Sequence, residues 1–121
     1  MSMSMNKIFY KVKKHLLTQG ERSYSENDGG VCLYRSPNGM SCAVGCLMTD
    51  DMYSVHLERN NVTNSTIVKV LTPIIGVHHY KRTMKLELLT MLQRLHDVVP
   101  VSNWSIKLDE IQKKYGIGDR V

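Results

Sequence analysis

Val31-Cys32-Leu33-Tyr34-Arg35-Ser36-Pro37-Asn38-Gly39-Met40-Ser41-Cys42-Ala43-Val44-Gly45-Cys46 is the stretch whose reading decides the fold class. It holds all three cysteines of the chain and a Pro-Asn-Gly turn between two short apolar runs. Proline fixes φ at the second turn position and glycine takes the left-handed one. The runs 31–35 and 40–46 are rich in strand formers, so the segment predicts a two-stranded antiparallel hairpin. The fold expected from it is α+β: a mostly helical single domain carrying that one hairpin.

Outward from the hairpin the pattern turns helical. Upstream, Ile8, Phe9, Val12, Leu16 and Leu17 recur at helical spacing, with Asn6 as N-cap and Gly20 as terminator. Residues 1–5 read as a frayed tail and 6–121 as one globular domain. Downstream, Thr49 or Asp50 caps an expected short helix through Met52, Tyr53 and Val55. Residues 67–75 suit a short buried helix or a strand, and Pro73 ends whichever forms. A longer helix is expected from about Tyr80 to Val98, with Met84, Leu88, Met91, Leu92 and Leu95 inside and Arg82, Lys85 and Arg94 outside. Pro100 stops it, and a last helix presents Trp104, Leu108, Ile111 and Tyr115 before Gly116.

The 121 residues are 42% hydrophobic and 22% charged, an ordinary globular composition. No apolar run approaches the ~20 residues that span a bilayer, and residues 1–7 lack a signal-peptide core, so a cytoplasmic protein is expected without membrane contact. Reduced thiols follow from that compartment. The net charge of +5 is unevenly spread. Lys7, Lys11, Lys13 and Lys14 stand without an acid in the first twenty residues. Residues 21–58 set two bases against six acids, and residues 59–121 set ten bases against five acids. The cysteine segment is an acidic island between basic ends.

The cysteines carry three readings. As soft ligands, Cys32, Cys42 and Cys46 with His56 would make a tetrahedral zinc set, but the paired Cys-x2-Cys knuckle is missing. As chemistry, Cys46 before a helix start with His56 as base would make a thiol nucleophile. As packing, free cysteine is among the most often buried residues, and this reading leads. No cofactor is expected, and no catalytic residue beyond that Cys46–His56 option. His96 and Asp97 are read as a helix-end pair, because neighbours in sequence point apart on a helix. Two basic groups offer anion contacts to a nucleic acid or nucleotide. One is Lys7, Lys11 and Lys14 beside Tyr10; the other is His79, Lys81, Arg82 and Lys85, cations at a helix start where the dipole disfavours them unless an anion is near.

His15-Leu16-Leu17-Thr18-Gln19-Gly20, Cys32-x-Tyr34-Arg35-x-x-x-Gly39, Cys42-Ala43-Val44-Gly45-Cys46-Leu47 and Asp50-Asp51-x-Tyr53 form a pattern, completed by Leu92-Gln93-Arg94-Leu95-His96-Asp97 and a helix opening near Trp104. It resembles a group of small proteins encoded by tailed bacteriophages and prophages. The resemblance spans the chain except for 60–80 and brings no activity with it. It implies an accessory protein made in a bacterial cytoplasm and acting on a host component. The expected function is therefore non-catalytic binding of a host macromolecule, a defence or regulatory factor. Tyr34, Arg35, Asp50, Asp51 and Tyr53 are the expected contact patch, since Arg and Tyr make strong binding anchors. Binding of an anionic ligand is the alternative and a cysteine-based metal or thiol protein the third. Self-association stays open.

Overall fold

In the computed structural model, residues 2–25, 31–77 and 81–118 are described. Among the described residues there are five α-helices: α1 (Met5–Gln19), α2 (Ser65–Val70), α3 (Thr72–Ile75), α4 (Arg82–Val98) and α5 (Trp104–Lys114). Helix α1 packs on α4 and α5, which also pack on each other. Ile8, Phe9, Val12 and Leu16 of α1 are fully buried between them, together with Leu88, Leu89 and Leu92 of α4 and Leu108 of α5. Among the described residues no helix is long and apolar enough to cross a membrane.

The ends of α1 follow from local chemistry. Its cap is Ser4, two residues before Asn6, whose hydroxyl accepts the Lys7 amide at 3.1 Å. Gly20 closes it at φ 66, a conformation that costs glycine little. Ahead of the helix, the Met3 amide donates to the Ile74 carbonyl at 2.9 Å. Asn64 caps α2 through its side chain. Pro73 does not end this region: it sits in the first turn of α3, where its missing N–H costs nothing.

The expected hairpin does not form, and the α+β class gives way to a mainly helical one. The turn itself is as expected: Ser36 N–H donates to Met40 O at 2.8 Å, and Gly39 has φ 87. One bridge follows, Arg35 to Ser41. The second arm then leaves the extended state and coils into a 3-10 turn at Gly45–Leu47. The reason is burial. Cys42, Ala43, Val44, Gly45 and Leu47 are all buried, and a strand of a two-stranded ribbon buries only alternate residues. A coil pushed into the core buries them all. The first arm pairs backwards instead: Val31–Cys32 lies against Tyr24–Ser25, two residues on each side, too short to make a sheet.

The rest of 33–64 carries one further helical turn, Val55–Leu57, capped by Ser54. The helix expected through Met52–Val55 is absent, because Thr49 closes only a single turn onto Met52 and Tyr53. Tight crossing fixes this segment. A Cβ built on Gly45 would lie 2.0 Å from the Tyr34 carbonyl oxygen. We predict that Gly45→Ala lowers unfolding free energy by about 3 kcal/mol or more in urea titrations, since backbone must move to admit the methyl. A loss below about 1 kcal/mol contradicts this packing.

Candidate functional site

Three polar residues of α4, Gln93, His96 and Asp97, stand at i, i+3 and i+4 and share one helix face. The chain around them explains their orientation. His96 is fully buried and makes two hydrogen bonds. Its Nε2 accepts the Ser23 amide at 2.9 Å, so this nitrogen carries no proton. Its Nδ1 therefore bears the proton and donates to Asp97 Oδ1 at 2.8 Å. Gln93 Nε2 donates to the same oxygen at 3.0 Å, while Gln93 Oε1 accepts the Val44 amide at 3.0 Å. Arg22 closes the helix end, donating to the His96 carbonyl at 2.9 Å and the Val99 carbonyl at 2.7 Å. A cation on those orphan carbonyls satisfies them and opposes the negative pole of the helix. Trp104 lies 5.8 Å from the His96 ring, centre to centre, and donates to Val99 O.

Cys32 completes the group. Its sulfur, the His96 imidazole and the Asp97 carboxylate lie within 4.8 Å of one another, the one such set of three ligand-type side chains among the described residues. The expected set of Cys32, Cys42, Cys46 and His56 is not brought together there. Cys42 is fully buried and its sulfur accepts the Gly45 amide at 3.3 Å; the Cys46 thiol donates to Ala43 O at 3.0 Å; His56 is exposed.

The Cys32–His96–Asp97 set resembles a nucleophile, base and orienter, or three ligands of a metal. Neither reading survives the proton positions. Nε2 faces an N–H donor and Nδ1 carries the hydrogen to Asp97, so neither nitrogen offers a lone pair to Cys32 or to an ion. Burial and then the Asp97 charge push the Cys32 thiol up to about 11, away from the thiolate a nucleophile needs. Burial pushes Cys46 up to about 12, although Lys11 pulls the other way. Burial raises Cys42 as well. The adjacent pair His96–Asp97 does touch, contrary to the expectation from helix geometry, because the Asp97 carboxylate folds back onto the ring edge.

The expected contact patch is mostly a clamp. Tyr34 is 5% exposed and donates its phenol to the Asn60 carbonyl, so it lies inside, not on the surface. The Glu58 carboxylate accepts the Tyr34 amide at 2.8 Å, the Arg35 amide at 3.1 Å and the Tyr53 hydroxyl at 2.7 Å. The Arg35 guanidinium sits 4.7 Å over the Tyr53 ring and donates to Asp50 and to the Met48 carbonyl. Asp50 and Asp51 face solvent.

The basic groups divide. Lys7, Lys11 and Lys14 are exposed along α1. Tyr10 does not stand free to stack: its phenol donates to Gly118 O at 2.7 Å, and its ring packs edge-on against Phe9. His79 lies outside the described residues. Lys81 is exposed, but Arg82 caps the Gly76 carbonyl at 2.8 Å. Lys85, expected outside, is 3% exposed and donates to the Ser2 hydroxyl at 3.0 Å; burial and Lys81 lower its pKa. Arg82 and Lys85 of the helix-start cluster are thus spent on the protein itself.

Gln93, His96 and Asp97 were present in the sequence as a helical stripe, but Arg22, Ser23 and Cys32, which give the stripe its meaning, lie more than sixty residues earlier. No family model, curated protein or solved structure matches the chain.

These proton positions predict slow thiol chemistry. Iodoacetamide labelling of Cys32 in the folded protein should climb with pH up to about 11, not level off near the ordinary thiol value of 9.0. Asp97→Asn should shift that profile downward, since it removes the neighbouring charge. Rapid labelling at neutral pH would contradict the assignment.

Proposed function

We propose that the chain is a non-catalytic binding protein of the bacteriophage accessory kind, made in a bacterial host's cytoplasm, that engages a host macromolecule through the acidic rim of its 33–64 loop. The observation that supports this reading is the Glu58 clamp. It fixes a long segment of little regular structure from within, and such segments in compact domains are generally functional. The rim it holds presents Asp50 and Asp51, backed by the Arg35–Tyr53 stack. A surface already ordered loses little entropy on binding. The charge calls for a basic patch on a host protein. The absence of catalysis is supported by thiols held protonated and an imidazole whose two nitrogens are both engaged.

Charge reversal tests the rim. Immobilised parent and an Asp50→Lys, Asp51→Lys double variant are exposed to bacterial host lysate across a salt series, with thermal midpoints compared. The parent should retain a host protein that elutes as salt rises and that the variant fails to hold at an unchanged midpoint. Equal retention by both proteins overturns the assignment of this face.

A further inference from the structure

Between α4 and the 59–63 loop lies an open cleft of about 530 Å³, within the size range of small-molecule sites. We propose that this cleft binds a nucleotide, base inward and phosphate at the mouth.

Three features select that ligand. The walls are mainly apolar, with Val62 and Val98 among the lining residues, which suits a flat heterocycle. Asp97 also lines the cleft, with its side chain 36% exposed. Gln93 and His96 both donate to Oδ1, and the Cys32 thiol also hydrogen-bonds the carboxylate, whose remaining acceptor capacity is open to a ligand. A carboxylate only accepts, so it selects the N–H edge of a base. Arg94 of α4 and Arg59 of the loop also line the cleft, and both are exposed cations. Guanidinium forks are the side chains best matched to phosphate. Arg59 is held at φ 67, the one left-handed non-glycine among the described residues. Carbonyls of His56, Leu57 and Glu58 bonded by the Asn60 amide hold the turn beside it. Strained backbone of this sort gathers at ligand sites.

Apolar walls, a partly buried acceptor and two more exposed cations match a molecule with a donor-edged ring and an anionic tail. The site lies apart from Asp50 and Asp51, so the failure of either proposal leaves the other standing.

The test is isothermal titration of the full chain with the four ribonucleoside monophosphates, their nucleosides and inorganic phosphate, repeated on Arg94→Glu and Asp97→Asn. At least one nucleotide should bind, more tightly than its nucleoside. Arg94→Glu should weaken the nucleotide at least about tenfold and leave the nucleoside unchanged. Asp97→Asn should weaken both; should that variant misfold, Arg94→Glu, altered at an exposed position, decides alone. No binding of any nucleotide to folded parent overturns the proposal. So does inorganic phosphate binding as tightly as the nucleotide, or Arg94→Glu without effect.

Discussion

Backbone that belongs to neither helix nor sheet still has to hydrogen-bond once it is buried, and everything between Leu33 and Met48 obeys that constraint. Local backbone bonds such as Ser36 N–H to Met40 O and Cys42 N–H to Tyr34 O meet part of the demand, and side chains meet much of the rest. Glu58 stands in for a strand, taking the consecutive amides of Tyr34 and Arg35. Gln19, in the last turn of α1, bonds both the amide and the carbonyl of Ser41 at 3.0 Å. Gln93 of α4 takes the Val44 amide. Gln19 and Gln93 belong to α1 and α4, so part of the loop's order comes from the helices, while Glu58 clamps the loop from within.

The same economy links the loop to the end of α4. Gln93 faces the loop with its oxygen and Asp97 with its nitrogen, and Asp97 in turn holds the proton of His96. His96 reaches Ser23, whose carbonyl takes the Leu33 amide. A continuous chain of bonds therefore runs from the buried coil at Val44 to the extended segment entering the turn. It engages both nitrogens of His96, while burial and then the Asp97 charge raise the Cys32 thiol. What stays accessible is the exposed pair Asp50 and Asp51 and a cleft lined in part by Arg59 and Arg94.

Much of the helical frame was legible because its signal is local. Ile8, Phe9, Val12 and Leu16, or Leu88, Leu92 and Leu95, announce a buried stripe by spacing alone, and Gly20 and Gly116 mark ends by their conformation. The Pro37-Asn38-Gly39 turn was legible for the same reason. The second arm was not. Cys42-Ala43-Val44-Gly45 has strand-like composition but lacks alternation, and burial on every side took precedence over propensity. The site was least legible, since its meaning depends on distant partners. Lys85 reads as a surface cation until Ser2 covers it, and His96 as half of a helix-end pair until the Ser23 amide fixes its tautomer.

The substitution of Glu58 for a missing strand is the claim on which the ordered loop rests, and residue-resolved hydrogen exchange tests it most directly. In the parent the Tyr34 and Arg35 amides should be protected; in Glu58→Ala both should lose protection at least about tenfold, as expected for bonds to a charged acceptor, while α1 and α4 keep theirs. Unprotected Tyr34 and Arg35 amides in the parent, or protection unchanged in the variant, would contradict the account.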